Sequence, residues 1–339
     1  MKKIVATILV LSITLFSLIS CGIITGNQGN GNNGPSEDVK LRIGYLAGPT
    51  GMGMAKLIVD NGGPDSDNDK YVFKKYEDSG KAKSELAAGK IDIICLPTNE
   101  AAVFYNTVDD SIRVLAINCL NSLYLMTSGE TKVQSLSDLE GQTVYTCKNG
   151  TPRAVLSYVV KELGLDITIS HEINGKEILT PNDLSTCVVT GAIPNAVMPE
   201  PLVTSSLLTI AKNGDESINY TVDVDLGDEW SKISDTSISM GCIVASGSVI
   251  NGHKDLVDHF LTEYKASVEF IGNPDNLSSA ADYIVKTNVM GAATAATKAL
   301  KNLGEAISYV EGVDMKNTLI GFYNAIGVAI PSNDFYYEK

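Results

Sequence analysis

Positive charge is scarce in this 339-residue chain, which has 26 lysines and arginines against 40 aspartates and glutamates and a net charge of −14. No basic stripe is present that could displace counterions from a phosphate backbone, so the composition argues against nucleic acid as a partner. An acidic balance of this size indicates solubility and says little about a small ligand.

Catalytic and metal-binding patterns are also lacking. The three histidines are isolated, and neither HExxH nor GxSxG occurs. Apart from Cys21, the five other cysteines are widely spaced and form no CxxC or other metal-ligand pattern, so we interpret them as buried reduced thiols, with a single disulfide as the alternative. The sequence therefore predicts a protein that is not an enzyme and has no cofactor and no metal site.

Long apolar runs are absent except near the N-terminus. Residues 4–19 are apolar, follow Lys2 and Lys3, and end in small residues, as an export signal does. The segment Leu18-Ile19-Ser20-Cys21 resembles the bacterial lipobox. It predicts a signal peptide at 1–20 and a lipid anchor on Cys21 at the extracytoplasmic face of the cell membrane. An ordinary buried cysteine is the alternative. Residues 21–38, rich in glycine and asparagine, are predicted to form a flexible linker.

The body of the chain repeats a unit of strand, glycine loop and helix. The first unit begins at Leu41 with a loop at 47–53, and the second begins at Thr143 with a loop at 147–151, where Thr151 is the predicted N-cap. The closing segments also match, because a glycine precedes a proline by eight positions at 89–97 and again at 191–199. This repetition predicts an α/β fold with two similar sheets, and one large doubly wound domain is the alternative.

Local motifs occur in order between residues 41 and 275. They are Ile43-Gly44-Tyr45 before the glycine loop, an A-x-G-x-x-D turn at 87–92, a DLKGKTV-like segment at 138–144, Pro-Glu-Pro at 199–201, and a helix at 253–270. Together they resemble the type II periplasmic binding proteins of the nitrate, sulfonate, taurine and thiamine-pyrimidine group.

The resemblance implies two Rossmann-like lobes joined by a two-crossover hinge near 118–123 and 238–242. We predict the first lobe at 39–122 plus 255–339 and the second at 123–254. It also implies a monomeric solute-binding protein that delivers a small molecule to an ABC permease and ATPase complex. The alternatives are a solute sensor and a pyrimidine-forming enzyme of related fold, although the cysteine-rich CCCFC motif of that enzyme does not occur here.

Candidate ligand-binding residues lie in the loops beyond the strands, where open α/β sheets bind ligands. Helix starts offer unpaired N–H groups, strand ends offer a hydroxyl and an amide, and asparagines lie at the predicted hinge. A carboxylate in the proline-rich loop would select a donor on the ligand. The predicted site residues are Pro49, Thr50, Gly51, Met52, Gly53, Pro97, Thr98, Asn99, Asn118, Asn121, Asn149, Gly150, Thr151 and Glu200. The alternatives are that both glycine loops only cap helices and that Glu200 only complements a helix dipole.

The identity of the solute stays open at this point. The helix starts and the lack of bulky aromatic residues favour a small anion such as an alkyl sulfonate, whereas Glu200, Tyr45 and Tyr145 would suit a nitrogen heterocycle such as a vitamin precursor. A core position is the alternative for both tyrosines. We expect Gly51→Val to abolish ligand binding while leaving the fold intact.

Overall fold

The structure is a computed structural model that describes residues 39–64, 66–129 and 132–339. The predicted signal peptide, Cys21 and the linker lie outside the described residues. None of the described helices is long and apolar enough to cross a membrane.

The described residues form twelve strands. In chain order they are β1 Leu41–Leu46, β2 Tyr71–Tyr76, β3 Ile93–Pro97, β4 Arg113–Leu120, β5 Leu123–Ser128, β6 Thr143–Tyr145, β7 Thr168–Ser170, β8 Glu172–Ile173, β9 Lys176–Glu177, β10 Asn195–Pro199, β11 Tyr220–Asp225 and β12 Ser239–Ala245. The helices are α1 Pro49–Met52, α2 Ala55–Asp60, α3 Ser79–Ala87, α4 Thr98–Thr107, α5 Thr151–Glu162, α6 Pro181–Val189, α7 Leu202–Asn213, α8 Leu226–Ser231, α9 Gly247–Gly252, α10 Lys254–Gly272, α11 Leu277–Lys286, α12 Ala293–Leu303 and α13 Gly312–Ile326.

Two five-stranded sheets share one plan. The first has the order β2-β1-β3-β12-β4, and the second has the order β7-β6-β10-β5-β11 when read from its corresponding edge. In each sheet the first three strands are parallel and the fourth runs antiparallel to both neighbours. The prediction of two similar α/β sheets is confirmed, with one antiparallel strand in each as the added feature.

The chain passes between the sheets twice. The first crossover is the short segment 121–122 between β4 and β5, and the second runs through α8 from β11 to β12. The predicted second boundary needs correction. We expected residues 239–254 in the second lobe, but β12 pairs with β3 and β4 of the first sheet, and α9 contacts α10. Strand pairing is set by residues distant in sequence, so local pattern could not assign β12.

Helices cover the sheets according to their place in the chain. We call the first sheet with α1–α4 and α9–α12 the first half, and the second sheet with α5–α8 the second half. One hydrophobic core joins the first sheet to α2 and α10–α12, and another joins the second sheet to α6 and α7.

The helix α13 packs on both halves, because it contacts β4 and β12 of the first sheet and α5 of the second half. Its Phe322 ring lies 5.8 Å from the ring of Trp230, which in turn lies 5.0 Å from the ring of Tyr158. These residues belong to a third core that continues from one sheet to the other on the crossover side of the molecule.

Candidate functional site

A cavity of about 700 Å³ lies between the two halves. The first half contributes residues 46–50, 97 and 99–100, with Cys119 and Met240 from β4 and β12, and the second half contributes residues 147, 149–152, 181–182, 199–202 and 205. Ser122 lines the cavity from the first crossover. These segments follow the carboxyl ends of β1, β3, β6 and β10, which is where open α/β sheets place their ligands.

The two glycine loops begin their helices in the same way. Gly48, the N-cap of α1, has φ 99° and ψ −170°, and Gly150, the N-cap of α5, has φ 101° and ψ 179°. A side chain is unfavourable at such positive φ angles, which explains glycine at both positions. The prediction of Thr151 as N-cap is therefore wrong by one residue, since Thr151 already belongs to the helix.

Several helix starts at the cavity have no side-chain cap. The N-caps of α1, α4 and α5 are Gly48, Pro97 and Gly150, and none of them accepts a hydrogen bond through its side chain. Their first backbone N–H groups lack the acceptor that a serine or aspartate N-cap supplies. The longer helices α4 and α5 also direct the positive ends of their dipoles toward the cavity, so this wall favours an acceptor or a negative charge.

Charged side chains in the lining are few. They are Glu100 and Glu200, and no lysine, arginine, histidine or aromatic side chain lines this cavity among the described residues. Glu100 accepts hydrogen bonds from Ser79 Oγ and Lys83 Nζ, both at 2.6 Å, so its charge is paired.

Glu200 is different because it is 0 % exposed and its hydrogen-bond donors among the described residues are all neutral. Its Oε1 accepts from Asn302 Nδ2 at 2.6 Å and from Thr204 Oγ1 at 2.9 Å, and its Oε2 accepts from the Thr204 backbone N–H at 3.2 Å. Burial raises the pKa of the Glu200 carboxyl, and these hydrogen bonds oppose the rise. The buried negative charge would favour a positive or N–H donor group on a ligand in the adjacent cavity.

The structure brings eight of the predicted site residues to the cavity wall. They are Pro49, Thr50, Pro97, Asn99, Asn149, Gly150, Thr151 and Glu200. Two of them contact each other across the cavity, since Thr151 Oγ1 of the second half donates to Asn99 Oδ1 of the first half at 2.8 Å. Ligand binding by these eight residues remains a prediction.

Three predicted residues of the first loop lie behind the wall instead. A Cβ on Gly51 would lie 1.9 Å from the Leu46 carbonyl oxygen, and one on Gly53 would lie 3.1 Å from a Val268 methyl carbon. Met52 is 0 % exposed within the core of the first half. The expectation that Gly51→Val would spare the fold is therefore corrected, because the valine side chain would collide with backbone.

The remaining three predicted residues make hydrogen bonds within the protein and do not line the cavity. Thr98 Oγ1 lies 3.1 Å from Ser239 Oγ, and Asn118 Nδ2 donates to the buried Tyr264 hydroxyl at 2.8 Å. Asn121 joins the two crossovers, because its N–H donates to the Ile238 carbonyl oxygen and its Oδ1 accepts from the Ile238 N–H, both at 2.9 Å. Short polar side chains at the predicted hinge thus bind neighbouring residues rather than line the cavity.

Sequence reasoning missed several residues at the site. Cys119 and Cys147 line the cavity as free thiols, and burial raises their pKa values to about 12 and about 11. Thr204 and Asn302, which hold Glu200, were also missed. Thr204 lies four residues after Glu200 in the following helix, a spacing that could have indicated it. Asn302 lies 102 residues away and has no local signal. The predicted Tyr45 and Tyr145 do not line the cavity, and Tyr45 is buried in the first-half core.

Comparison with known proteins gives matches at the level of structure. No family model and no curated protein matches the chain. An ABC transporter protein from Parabacteroides distasonis has a TM-score of 0.68 at 19% identity, over 88% of this chain and 99% of that one. The periplasmic aliphatic sulphonate binding protein SsuA from Escherichia coli has a TM-score of 0.64 at 16% identity, over 88% and 92%. The chain has the fold of these ABC-transporter binding proteins.

The nitrate-binding protein NrtA from Synechocystis PCC 6803 shares the fold as well, with a TM-score of 0.61 at 12% identity over 87% of this chain and 83% of that one. The resemblance first seen in the local motifs is thus confirmed for the fold. Sequence identities this low carry no information about which solute the cavity accepts.

Proposed function

We propose that the chain is the extracytoplasmic solute-binding lipoprotein of an ABC importer and closes its two halves on a small organic solute. The observation that carries the proposal is the cavity of about 700 Å³ between two sheets, which two crossovers join in the part of the chain that the structure describes. The fold shared with ABC-transporter binding proteins supports it. Lipidation of Cys21 would tether the body near an ABC permease and ATPase complex.

The proposed mechanism is closure about the crossovers. A solute that contacts both halves stabilises the closed arrangement only by as much as it binds that arrangement better than the open one. Two hydrogen bonds join Asn121 of the first crossover to Ile238 of the second. Both crossovers can therefore turn as one unit while the sheets remain rigid. The closed arrangement would be the one that the transporter recognises.

The lining indicates the chemistry of the solute. An acceptor group, such as a sulfonate or a carbonyl, would occupy the uncapped starts of α4 and α5. A nitrogen donor at the other end would lie toward Glu200, whose buried charge has no cationic partner among the described residues. No aromatic side chain of the described residues lines the cavity, which disfavours a stacked heterocycle, so we propose a small aliphatic solute with an acceptor at one end and a donor at the other.

A thermal-shift screen tests the proposal. The panel contains alkyl sulfonates, aminosulfonates, pyrimidines, and riboflavin or thiamine precursors, and a true ligand at 100 times its Kd stabilises the native state by about 2.7 kcal/mol. Binding should leave each solute chemically unchanged when it is recovered. Consumption of a solute would contradict a purely binding role, and no shift with any member would contradict the proposed solute class.

Glu200→Gln sharpens the screen. The amide keeps an acceptor for Thr204 but removes the charge, so we expect ligands with a nitrogen donor to lose at least about tenfold in affinity. Glu100→Gln is the matched control, because Glu100 also lines the cavity but already has Lys83 as its partner. Equal losses in the two variants would show that the unpaired charge of Glu200 does not select the ligand.

A further inference from the structure

The two halves meet at a second place, where the end of α12 lies against the start of α7. Asn302 Nδ2 donates to Glu200 Oε1 at 2.6 Å and lies 3.2 Å from Thr204 Oγ1, to which it also donates. The Tyr124 hydroxyl donates to the Asn302 carbonyl oxygen at 2.6 Å. Three hydrogen bonds therefore converge on one residue that no sequence motif had indicated.

These bonds connect elements that belong to different halves. The helix α12 buries Ala296, Ala299 and Leu303 in the core of the first half. Tyr124 lies on β5 of the second sheet, and Glu200 follows β10 of the same sheet. A rotation that moves the end of α12 away from the start of α7 would break these bonds, whereas the Thr204 bonds to Glu200 lie within the second half and would persist.

The Glu200 carboxylate is shielded from water in the arrangement that the structure shows. In the structure it is 0 % exposed, and Asn302 is the donor that the first half supplies to it. Burying a carboxylate is unfavourable unless hydrogen-bond donors replace the lost water. We infer that Asn302 is a positioning residue for closure: its side-chain amide replaces the water that Glu200 loses when the halves come together. This inference rests on the proposed function, in which the halves open and close.

Asn302 is suited to a direct test because its side chain is not part of a core. The residue is exposed near the end of α12 and lines a smaller cavity of about 310 Å³ rather than the main one. Its replacement should therefore change neither the packing nor the contacts of a solute. Lys301, the preceding residue, is also exposed and lines the same smaller cavity, which makes Lys301→Ala a matched control.

Native thiols report how often the main cavity opens. Cys119 and Cys147 line it, while Cys95 and Cys242 are buried in the first sheet away from it and report unfolding. We would measure alkylation of each thiol by peptide mass spectrometry in the full chain, in a Cys187→Ser background because Cys187 is the more exposed thiol. Asn302→Ala should raise the rates at Cys119 and Cys147 at least several-fold, with Lys301→Ala and the two reporter thiols unchanged. Equal cavity-thiol rates in Asn302→Ala and the parent would overturn the inference.

Exchanging the amide and the carboxylate between residues 302 and 200 distinguishes a specific effect on closure from a general loss of stability. Asn302→Asp keeps the size of the side chain but places a second carboxylate beside Glu200, so the cavity thiols should react faster still. Adding Glu200→Gln restores one donor and one carboxylate, with the amide now at position 200 and the carboxylate at position 302. The alkylation rates should then return toward those of the parent. Asn302→Ala would be uninformative if it also exposed Cys95 and Cys242. In that case the comparison of Asn302→Asp with the double variant Asn302→Asp/Glu200→Gln tests the inference. A double variant as reactive as Asn302→Asp alone would refute it.

The thiol measurement needs no ligand, so its outcome is separate from that of the solute screen. Where the screen finds a ligand, Asn302→Ala should weaken its Kd about 10- to 100-fold, the range for losing one hydrogen bond to a charged group. The ranking of different ligands should stay the same, because Asn302 does not line the main cavity. A changed ranking would mean that Asn302 contacts the solute directly, contrary to the inference.

Discussion

The two halves present the same glycine turn to the cavity but hold the following residues differently. Gly48 and Gly150 share their backbone angles, yet α1 has four residues and α5 has twelve. Behind the first turn, a Cβ added to Gly51 would lie 1.9 Å from the Leu46 carbonyl oxygen, so no side chain fits there. In contrast, Asn149 and Gly150 of the second turn are exposed. The repeat in the sequence therefore predicts the geometry of the turn, whereas the packing behind the turn differs between the halves.

The halves also differ in the buried and half-buried acids that lack a cation, although Glu229 of the second half, 3 % exposed, pairs with Lys232 at 2.8 Å. In the first half, Asp92 pairs with Arg42 at 2.6 Å. At the edges of the second sheet nearest the crossovers, Glu200 and Asp225 have no cationic partner among the ion pairs of the described residues. Burial raises the pKa of both carboxyls. The second half thus keeps unpaired charge where the halves meet.

We expect the largest effect from a substitution that disrupts the tightly packed first turn. Gly51→Ala places a Cβ 1.9 Å from backbone, so the chain must shift, and we expect a loss of about 3 kcal/mol in the free energy of unfolding. Denaturant titration measures it. Gly252→Ala is the control, because nothing lies within 4 Å of its added Cβ. A loss for Gly51→Ala no larger than for Gly252→Ala would show that the first turn is not rigid.

A matched pair of substitutions tests the equivalence of the two turns. Gly48→Ala and Gly150→Ala each force an alanine into an extended backbone with positive φ, a region that is essentially restricted to glycine, which costs about 1 to 3 kcal/mol. The added Cβ has no contact closer than 3.8 Å at either position, so the two losses should agree. A difference beyond about 1 kcal/mol would mean that the surroundings, and not the shared φ, set the cost.

Local patterns predicted the parts of the fold that depend on short stretches of chain. The strand–glycine–helix units, the crossover between β4 and β5, and eight wall residues all follow from adjacent residues. Non-local features could not be predicted. The sheet to which β12 belongs depends on partners more than 100 positions away, and Asn302 approaches Glu200 only in the folded chain. Asn118 and Asn121 were assigned to ligand because a sequence does not show that their partners are the Tyr264 hydroxyl and the Ile238 backbone.

The unpaired acids of the second half predict a pH dependence. Burial raises the pKa of Asp225 from 3.8 to about 6. The native state therefore binds the proton of the Asp225 carboxyl more tightly than the unfolded chain does. Protonation of Asp225 stabilises the native state fully below pH 3.8, and this contribution is lost as the pH rises through about 6.

Asp225→Asn should remove this dependence while keeping an acceptor for the Gly227 N–H, which the aspartate accepts at 2.7 Å. We expect the variant to be more stable than the parent by about 1 kcal/mol at pH 7, less than the full equivalent of the pKa shift because the carboxyl is only half-buried. The two proteins should converge near pH 4 in denaturant titrations. A constant difference across this range would show that Asp225 does not titrate as described. Asp92→Asn in the first half provides the contrast, because it breaks the ion pair with Arg42 and should destabilise the fold.

The smallest expected effect concerns the hydrogen bond that joins the two walls, from Thr151 to Asn99. Thr151→Val removes the donor and keeps the shape, so closure should weaken by about 1 kcal/mol, or roughly fivefold in the alkylation rates of Cys119 and Cys147. Thr151→Ser keeps the hydroxyl and should behave like the parent. In a double-mutant cycle, Thr151→Val should have little further effect once Asn99→Ala is present, because the partner is already gone. Fully additive effects would assign the two side chains independent roles, and the contact between the walls would then contribute nothing to closure.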